Sequence, residues 1–462
     1  MEKLQESGKN PMGESGRKLK ILILLQFHNL RINAVRDYVE AFDLFSRHSV
    51  SYAHGLLPGW PASGKIDYDK FDVLLIPHHC RVLAGDESFN FEVGEAIKNF
   101  SGYKVLILQD EYDRTELARQ WILNYGINHV FTIIADEDVE KVYDPKRFKG
   151  VTFTNFLTGY IPPSLDNATS IRPMSERPFH IAYRCREQGS WRGELCYQKL
   201  DIAKVVKRVC AEKRIPVDIE WAENKLIFGP AWYDFLQSGR ATLGSESGSN
   251  VFDLDGSITK NVRKALQENP EMGYEDLLGK YFEDENIGVR TNQISPKFFE
   301  FIASKTALVL FEGNYSGILK PGIHYIPLSR DYSNLAEVLE LLEDIPFLEA
   351  MAERAYSDVV LSGKYHYRAA IGKMDELIER EVERKLSPRQ SERGKAGYSG
   401  LSEDVPFPID ILRRYEVSRR EETVLLRESV CSLRAKKKDF SGMNLRREQK
   451  ITKLREKLNK GS

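Results

Sequence analysis

Residues 19–25 read LKILILL and residues 32–45 read INAVRDYVEAFDLF. A run of six aliphatic residues around one lysine is too short for a helix and too evenly apolar for a strand with one wet face. It is therefore expected to be a strand buried on both sides, as in a parallel sheet. The apolar residues of 32–45 recur every three or four positions, the spacing of a helix with one buried stripe. Strand then helix opens a crossover unit, and the pattern repeats. Val50–His54, Phe71–Pro77 (FDVLLIP), Lys104–Gln109 (KVLILQ) and His129–Ile134 (HVFTII) are further strands, with helical spacing at Phe91–Phe100 and Arg114–Tyr125. Residues 19–160 are expected to form a doubly wound α/β domain behind a flexible leader, 1–18.

Tyr160–Pro178 (YIPPSLDNATSIRPMSERP) continues neither element, so 161–178 is expected as a linker. A second alternation fills 179–384. His180–Arg184, Val217–Trp221 and Leu308–Phe311 read as strands, and Glu194–Ala211, Ala231–Ser238, Phe298–Ser304 and Leu335–Leu342 as helices. Residues 253–294 break this half with acidic, less apolar sequence, expected as an insertion of one or two helices. The fold class is α/β, two Rossmann-like domains facing a cleft, followed by a basic, helical or partly disordered tail, 385–462.

Composition narrows the classes. With 462 residues, 42% hydrophobic and 29% charged, the chain can bury large cores, which excludes a wholly disordered or collagen-like protein. Five widely spaced cysteines without a C-x-x-C pair resemble neither a disulfide framework nor a zinc knuckle. The longest apolar runs are far shorter than a membrane span, and the leader has no apolar core of the kind a secretory signal needs. A cytoplasmic location is the expectation. The net charge of −1 hides +9 on residues 385–462 and −10 on the remainder. Such a tail is solvated or partner-bound, or lies on an anionic membrane face through its Leu426/Val430/Leu433 and Ile451/Leu454/Leu458 spacings. Nucleic acid is not expected as a partner, since no aromatic or recognition-helix pattern accompanies the charge.

In doubly wound sheets ligands bind beyond the carboxyl ends of the strands. Those positions hold Phe27-His28-Asn29, His78-His79-Cys80-Arg81 and Asp110 to Thr115 in the first half, and Arg184-Cys185-Arg186 and Glu312 to Gly317 in the second. Acid/base candidates thus gather in one half and anion-binding candidates in the other. Glycine fingerprints for dinucleotides, Walker loops and nucleophile elbows do not occur. Arg184, Arg186, Arg192 and Lys199 surround a strand-to-helix turn suited to phosphate, or form a solvated surface loop. His48, His54, Trp191, Trp221 and Trp232 read as packing or surface residues.

One motif points elsewhere. Val251–Ile258 (VFDLDGSI) resembles the nucleophile motif of haloacid-dehalogenase-type (HAD-like) phosphatases, which would make Asp253 the nucleophile and Asp255 the acid/base. The bland alternative is an Asp-rich turn, because a Gly/Ser-rich stretch precedes it where that motif needs a hydrophobic strand.

Residues 294–328, ISPKFFEFIASKTALVLFEGNYSGILKPGIHYIPL, carry a more extended likeness. They resemble the nucleotide-sugar site of GT-B fold group 1 glycosyltransferases, especially the spore-maturation-type (CgeB-like) branch, through Ser295-Pro296, Phe299-Glu300, Ala303, Gly313 to Gly317 and Pro321-Gly322. The resemblance implies transfer of a sugar from a nucleotide-diphosphate sugar, the co-substrate, to a glycan, glycolipid or glycoprotein acceptor, with no cofactor and no metal. It assigns Glu300 to the donor ribose and Arg184 or Arg186 with Lys199 to the diphosphate. Tyr315, Ser316 and Gly317 would donate to phosphate or sugar, and Glu246 would lie near the donor sugar. In the first half, Phe71–His78 is similar to a strand end whose histidine faces the cleft, making His78, Asp110 or Glu111 the acceptor base. Asn292 stands where paired-glutamate members have their first Glu, which leaves the stereochemistry open. A nucleotide- or glycan-binding protein without turnover is the other reading.

Overall fold

The computed structural model describes residues 17–26, 30, 32–53, 67–80, 91–165, 171–186, 192–269, 272–282 and 287–386. The chain divides into compact units of residues 1–398 and 399–462, and every described residue lies in the first. The sequence assignments at 27–29, His54, Arg81, Trp191 and nearly all of 385–462 fall outside the described residues.

The first half runs β1 (Lys20–Leu24), α1 (Asn33–Phe45), β2 (Ser49–Ala53), β3 (Val73–Ile76), α2 (Phe91–Asn99), β4 (Tyr103–Ile107), α3 (Thr115–Asn124), β5 (His129–Thr132), α4 (Val139–Val142) and β6 (Thr152–Asn155). Its six strands lie in the order β2-β1-β3-β4-β5-β6, all parallel. Ile21 to Leu24 are at most 2% exposed, so the opening strand is sealed on both faces as its composition requires. β6 reads TFTN and is half-buried at the sheet edge, too polar and too short to stand out in the sequence.

The second half runs β7 (Phe179–Arg184), α5 (Glu194–Lys213), β8 (Val217–Glu220), α6 (Pro230–Leu236), β9 (Gly239–Gly244), α7 (Ser257–Glu268), α8 (Tyr274–Tyr281), α9 (Pro296–Ala303), β10 (Ala307–Phe311), β11 (Ile326–Leu328), α10 (Leu335–Leu341) and α11 (Ile345–Ala355). Its strand order is β11-β10-β9-β7-β8, again all parallel. Counted from their own first strands, both sheets follow the order 2-1-3-4-5, and the first adds a sixth strand at its edge. The expectation of two doubly wound α/β halves holds. β9 (GRATLG) is central yet went unread, because glycine at both ends and a buried Thr242 disguise it. Its terminal Gly244 is required by packing, since a Cβ there would stand 2.2 Å from Phe298 Cζ on α9. Residues 253–294 hold two helices, α7 and α8.

The last described helix, α12 (Tyr367–Leu386), departs from the 179–384 assignment. It returns to the first half and packs on α1, where Asp375 accepts from Ser46 Oγ at 3.0 Å and Arg47 N at 2.9 Å. Lys385 Nζ reaches Asn128 Oδ1 at 2.9 Å. The two chain crossings pair where Ile161 N donates to Tyr365 O at 2.8 Å.

Candidate functional site

Both sheets reverse strand order between their first and third strands, and the crevice beyond the carboxyl ends there is where open sheets bind ligands. In the second half that point lies between β7 and β9. A cavity of about 160 Å³ opens there, lined by Tyr183, Cys185, Arg186, Lys199, Ser245, Ser295 and Lys297. β7 and its exit supply the first three, α5 supplies Lys199, the exit of β9 supplies Ser245, and the start of α9 supplies the rest. Lys199 Nζ donates to Ser247 Oγ at 3.1 Å. Lys297 Nζ donates to the Arg184 carbonyl at 3.3 Å and lies over the Tyr183 ring at 4.2 Å. Burial pushes that ammonium down to about 7. Among the described residues, Arg186, Lys199 and Lys297 have no carboxylate partner. Three basic side chains without an acid among the described residues thus converge on one small space.

Arg184 is placed differently from expectation. Its guanidinium has five N–H donors. Two go to the Asp218 carboxylate at 2.8 Å each, and the others to the carbonyls of Asp218 at 2.9 Å, Tyr183 at 3.1 Å and Lys225 at 3.1 Å. With Phe235 stacked 4.6 Å from its Cζ, this side chain fastens β7 to β8 and has no donor left for phosphate.

The loop after β10 is likewise self-satisfied. Tyr315, Ser316 and Gly317 all have positive φ. Their amides donate to Glu246 Oε1 at 3.0 Å, Asn292 O at 2.9 Å and Asn314 Oδ1 at 2.6 Å. The Tyr315 hydroxyl is buried against Phe311 O at 2.5 Å, and Ser316 Oγ accepts from Ile294 N at 3.0 Å. Glu246 is 4% exposed and also takes Asn314 N at 2.6 Å. It braces this loop, and Gly313 lets it approach, since a Cβ there would stand 2.5 Å from Glu246 Cδ. None of these amides is open to a ligand in this arrangement, contrary to the expected donor contacts.

Glu300 is buried at the seam between the halves. Its Oε2 accepts from Trp232 Nε1 at 3.0 Å, and burial pushes its carboxyl up to about 8, with Asp37 of α1 adding to the rise. Asp37 is itself raised to about 7 by burial, and its Oδ2 is buried without a partner.

In the first half, His78 follows β3 beside that sheet's own reversal. Its ring meets Tyr38 edge-on at 5.1 Å. Burial lowers its imidazole to about 4, while the nearby Asp110 carboxylate acts in the opposite direction. Asp110 follows β4 in a left-handed conformation and accepts from Tyr112 Oη at 2.6 Å. Glu111 is fully buried and pointed away, its oxygens taken by Thr132 Oγ1, Ile133 N and Tyr143 Oη. This corrects its assignment as an acceptor base: it ties β4 to β5.

The halves meet across the candidate site. Arg192 pairs with Asp113 at 3.4 Å, and Gln293 Nε2 donates to Ile133 O at 2.9 Å. Burial raises the Cys196 thiol, which also feels Lys199, Arg192 and Asp110 together, so the cationic wall and the acid of the opposite half share one electrostatic neighbourhood. Asp253 serves the same seam. Its carboxylate accepts from Gly256 N at 2.9 Å, Ile258 N at 3.2 Å and Thr259 N at 2.9 Å, capping α7, while its backbone pairs with the 112–115 segment. A nucleophile needs a free oxygen facing substrate, and both oxygens here are occupied, so the Asp-rich turn is the better description of VFDLDGSI. Sequence reasoning missed Lys297, although it lies between Ser295-Pro296 and Phe299-Glu300 in the 294–328 stretch. A lysine between Pro296 and two phenylalanines was the available signal.

No family model and no curated protein matches the chain. Among solved structures, an α-glucosyltransferase in complex with UDP and a 13-mer DNA containing a HMU base is similar at a TM-score of 0.48 and 12% identity, over 78% of this chain and 100% of that one. Anabaena HepE in complex with UDP-glucose gives 0.40 and 10% over 80% and 100%, and pneumococcal O-GlcNAc transferase GtfA in complex with UDP and GlcNAc gives 0.33 and 14% over 67% and 56%. Likeness at this level carries no functional argument.

Proposed function

We propose that this protein is a glycosyltransferase that moves a sugar from a nucleotide-diphosphate sugar to a glycan or glycoconjugate acceptor. The observation that carries the reading is the cavity at the second sheet's reversal, walled by Arg186, Lys199 and Lys297 with no counter-acid among the described residues. Unpaired cations in a partly dry site call for an anion of several charges, and a diphosphate leaving group supplies one. The same cations would stabilise the charge that develops as the glycosidic bond to phosphate breaks. Across the seam, His78 is neutral above about pH 4 and so has a ring nitrogen open to the acceptor hydroxyl proton, and the nearby Asp110 carboxylate offsets part of the loss of basicity that burial imposes.

Calorimetric titration with UDP, GDP and dTDP tests this. One of them binds the wild type, and Arg186→Met/Lys199→Met weakens it at least tenfold, each lost charge-assisted contact being worth about 1.5–3 kcal/mol. Absence of binding by all three rejects the reading.

A second reading, nucleotide or glycan binding without turnover, is favoured by Asn292, which occupies the paired-glutamate position and uses its carbonyl to hold Ser316 N. Wild type that binds a nucleotide sugar and neither transfers nor hydrolyses it would decide for this role. The +9 tail is assigned to peripheral contact with an anionic membrane face, and deletion of 386–462 should abolish liposome association at low salt.

A further inference from the structure

Lys297 is held in a way that does not favour a permanent charge. An ammonium has three donors and strong hydration in water. Here one carbonyl, Arg184 O at 3.3 Å, and the faces of Tyr183 at 4.2 Å and Phe298 at 5.6 Å replace that hydration. The groups facing it from neighbouring elements are Cys185 and Arg186 beyond β7, Lys199 on α5 and Ser245 beyond β9. Two of these are cations. The acid that acts on it, Glu300, lies one turn along the same helix, and its own charge is suppressed by burial and by the neighbouring Asp37, with the Trp232 N–H it accepts from working in the opposite sense. An empty cavity therefore holds two cations comfortably and a third at a cost, whereas a bound polyanion reverses that balance.

We propose that Lys297 is a further binding residue for the donor diphosphate and that the ligand completes its charge, so that filling the cavity carries one proton from solvent onto Lys297 Nζ. This rests on the donor-site reading and extends it. The Nζ lone pair takes the proton, a buffer acid gives it up, and the new ammonium donates to phosphate oxygen. Departure of the nucleotide diphosphate after transfer returns the proton. The device discriminates a diphosphate from a less charged ligand, because only the former supplies the field that holds the third cation.

The depressed ammonium, about 7, leaves roughly nine in ten molecules uncharged at pH 8, where the diphosphate is fully ionised. Calorimetry of UDP, GDP and dTDP at pH 8 in buffers of different ionisation enthalpy reads the proton count directly. Wild type should take up close to one proton per ligand. Lys297→Arg, permanently charged, should bind within about tenfold of wild type with no such uptake, and Lys297→Met should lose both the uptake and about tenfold or more in affinity. Equal proton uptake by wild type and Lys297→Met would overturn the inference while leaving the donor site standing; no binding by any nucleotide would overturn both. Because substitutions can disturb folding, NMR of the Cε and Nζ nuclei of isotope-labelled lysine in unaltered wild type is the companion measurement. Lys297 should titrate near neutrality without ligand and move above about pH 9 with it. Titration above pH 9 in the free protein would reject the proposal.

Discussion

Arg184 and Lys297 stand at one strand end, joined by the carbonyl of the first and the ammonium of the second, yet their surroundings separate their roles. The arginine is fully used inside the protein, and its pair with Asp218 is largely shielded, the two side chains being 10% and 28% exposed. Breaking such a pair by removing one partner leaves an uncompensated carboxylate. Arg184→Met is expected to cost about 3 kcal/mol in a urea melt while leaving nucleotide affinity of the folded protein nearly unchanged. Lys199→Met should do the reverse, since its hydrogen-bond partner among the described residues is a hydroxyl. Equal loss of affinity in both variants would show that Arg184 reaches the ligand after all. Both residues carry the same charge in the sequence. Which of them is spent depends on Asp218 lying on the adjacent strand, a neighbour 34 positions away.

At the scale of elements, the insertion is stitched to the first half by the same short segment that the sequence offered as a nucleophile motif. Phe252 is fully buried in the first half's core, and Asp253 caps α7 with three amide contacts. A capping aspartate is worth roughly 1–2 kcal/mol. Asp253→Ala should therefore lower stability by that amount and speed limited proteolysis within 257–281, with no phosphate-ester hydrolysis to lose. Measurable hydrolysis in wild type, abolished by Asp253→Asn, would restore the phosphatase reading. Asp, Gly and Ser at these spacings serve a helix start and a phosphoryl-transfer loop equally well, so the sequence could not separate them. Elements with strong periodicity, such as β1, α1, α5 and β10, were legible to within a few residues. β6, β9 and β11 were not, because short strands with Thr, Gly or Pro owe their place to pairing with neighbours.

For the whole molecule, the seam at Asp37 and Glu300 sets a pH response. Each carboxyl has its folded pKa raised, to about 7 and about 8, so the folded state keeps protons that the unfolded chain has released. Their contribution is present below the ordinary carboxylate range and is lost as pH rises through those two values. The neighbouring charged groups are Arg36 and Glu40 on α1 and Lys297 on α9, and Lys297 works in the opposite sense because its folded pKa is lowered. The clean measurement is a difference. Between pH 6.5 and 8.5, Asp37→Asn/Glu300→Gln should gain on wild type by on the order of 3 kcal/mol in urea melts. A constant difference across that window would mean the two carboxyls are already ionised when folded. The same scale governs α12. Ending the chain at residue 366 removes Asp375, Glu379 and the face that covers α1, and the first half should then lose its cooperative thermal transition.

The sequence by itself determined the two α/β halves with their most apolar strands, and which residues stand just beyond the ends of those strands. Those follow from local hydrophobic spacing and from which residues lie just beyond a buried strand, and both are written within a dozen residues. Only the tertiary structure decided which charges are free. Arg184, Glu111, Glu246 and Asp253 are taken up by partners brought close through strand pairing and the docked insertion, while Lys297 is stripped of water by Tyr183 from a strand more than a hundred residues earlier. A side chain's chemistry is set by the solvent and charge around it, and folding supplies those from distant parts of the chain.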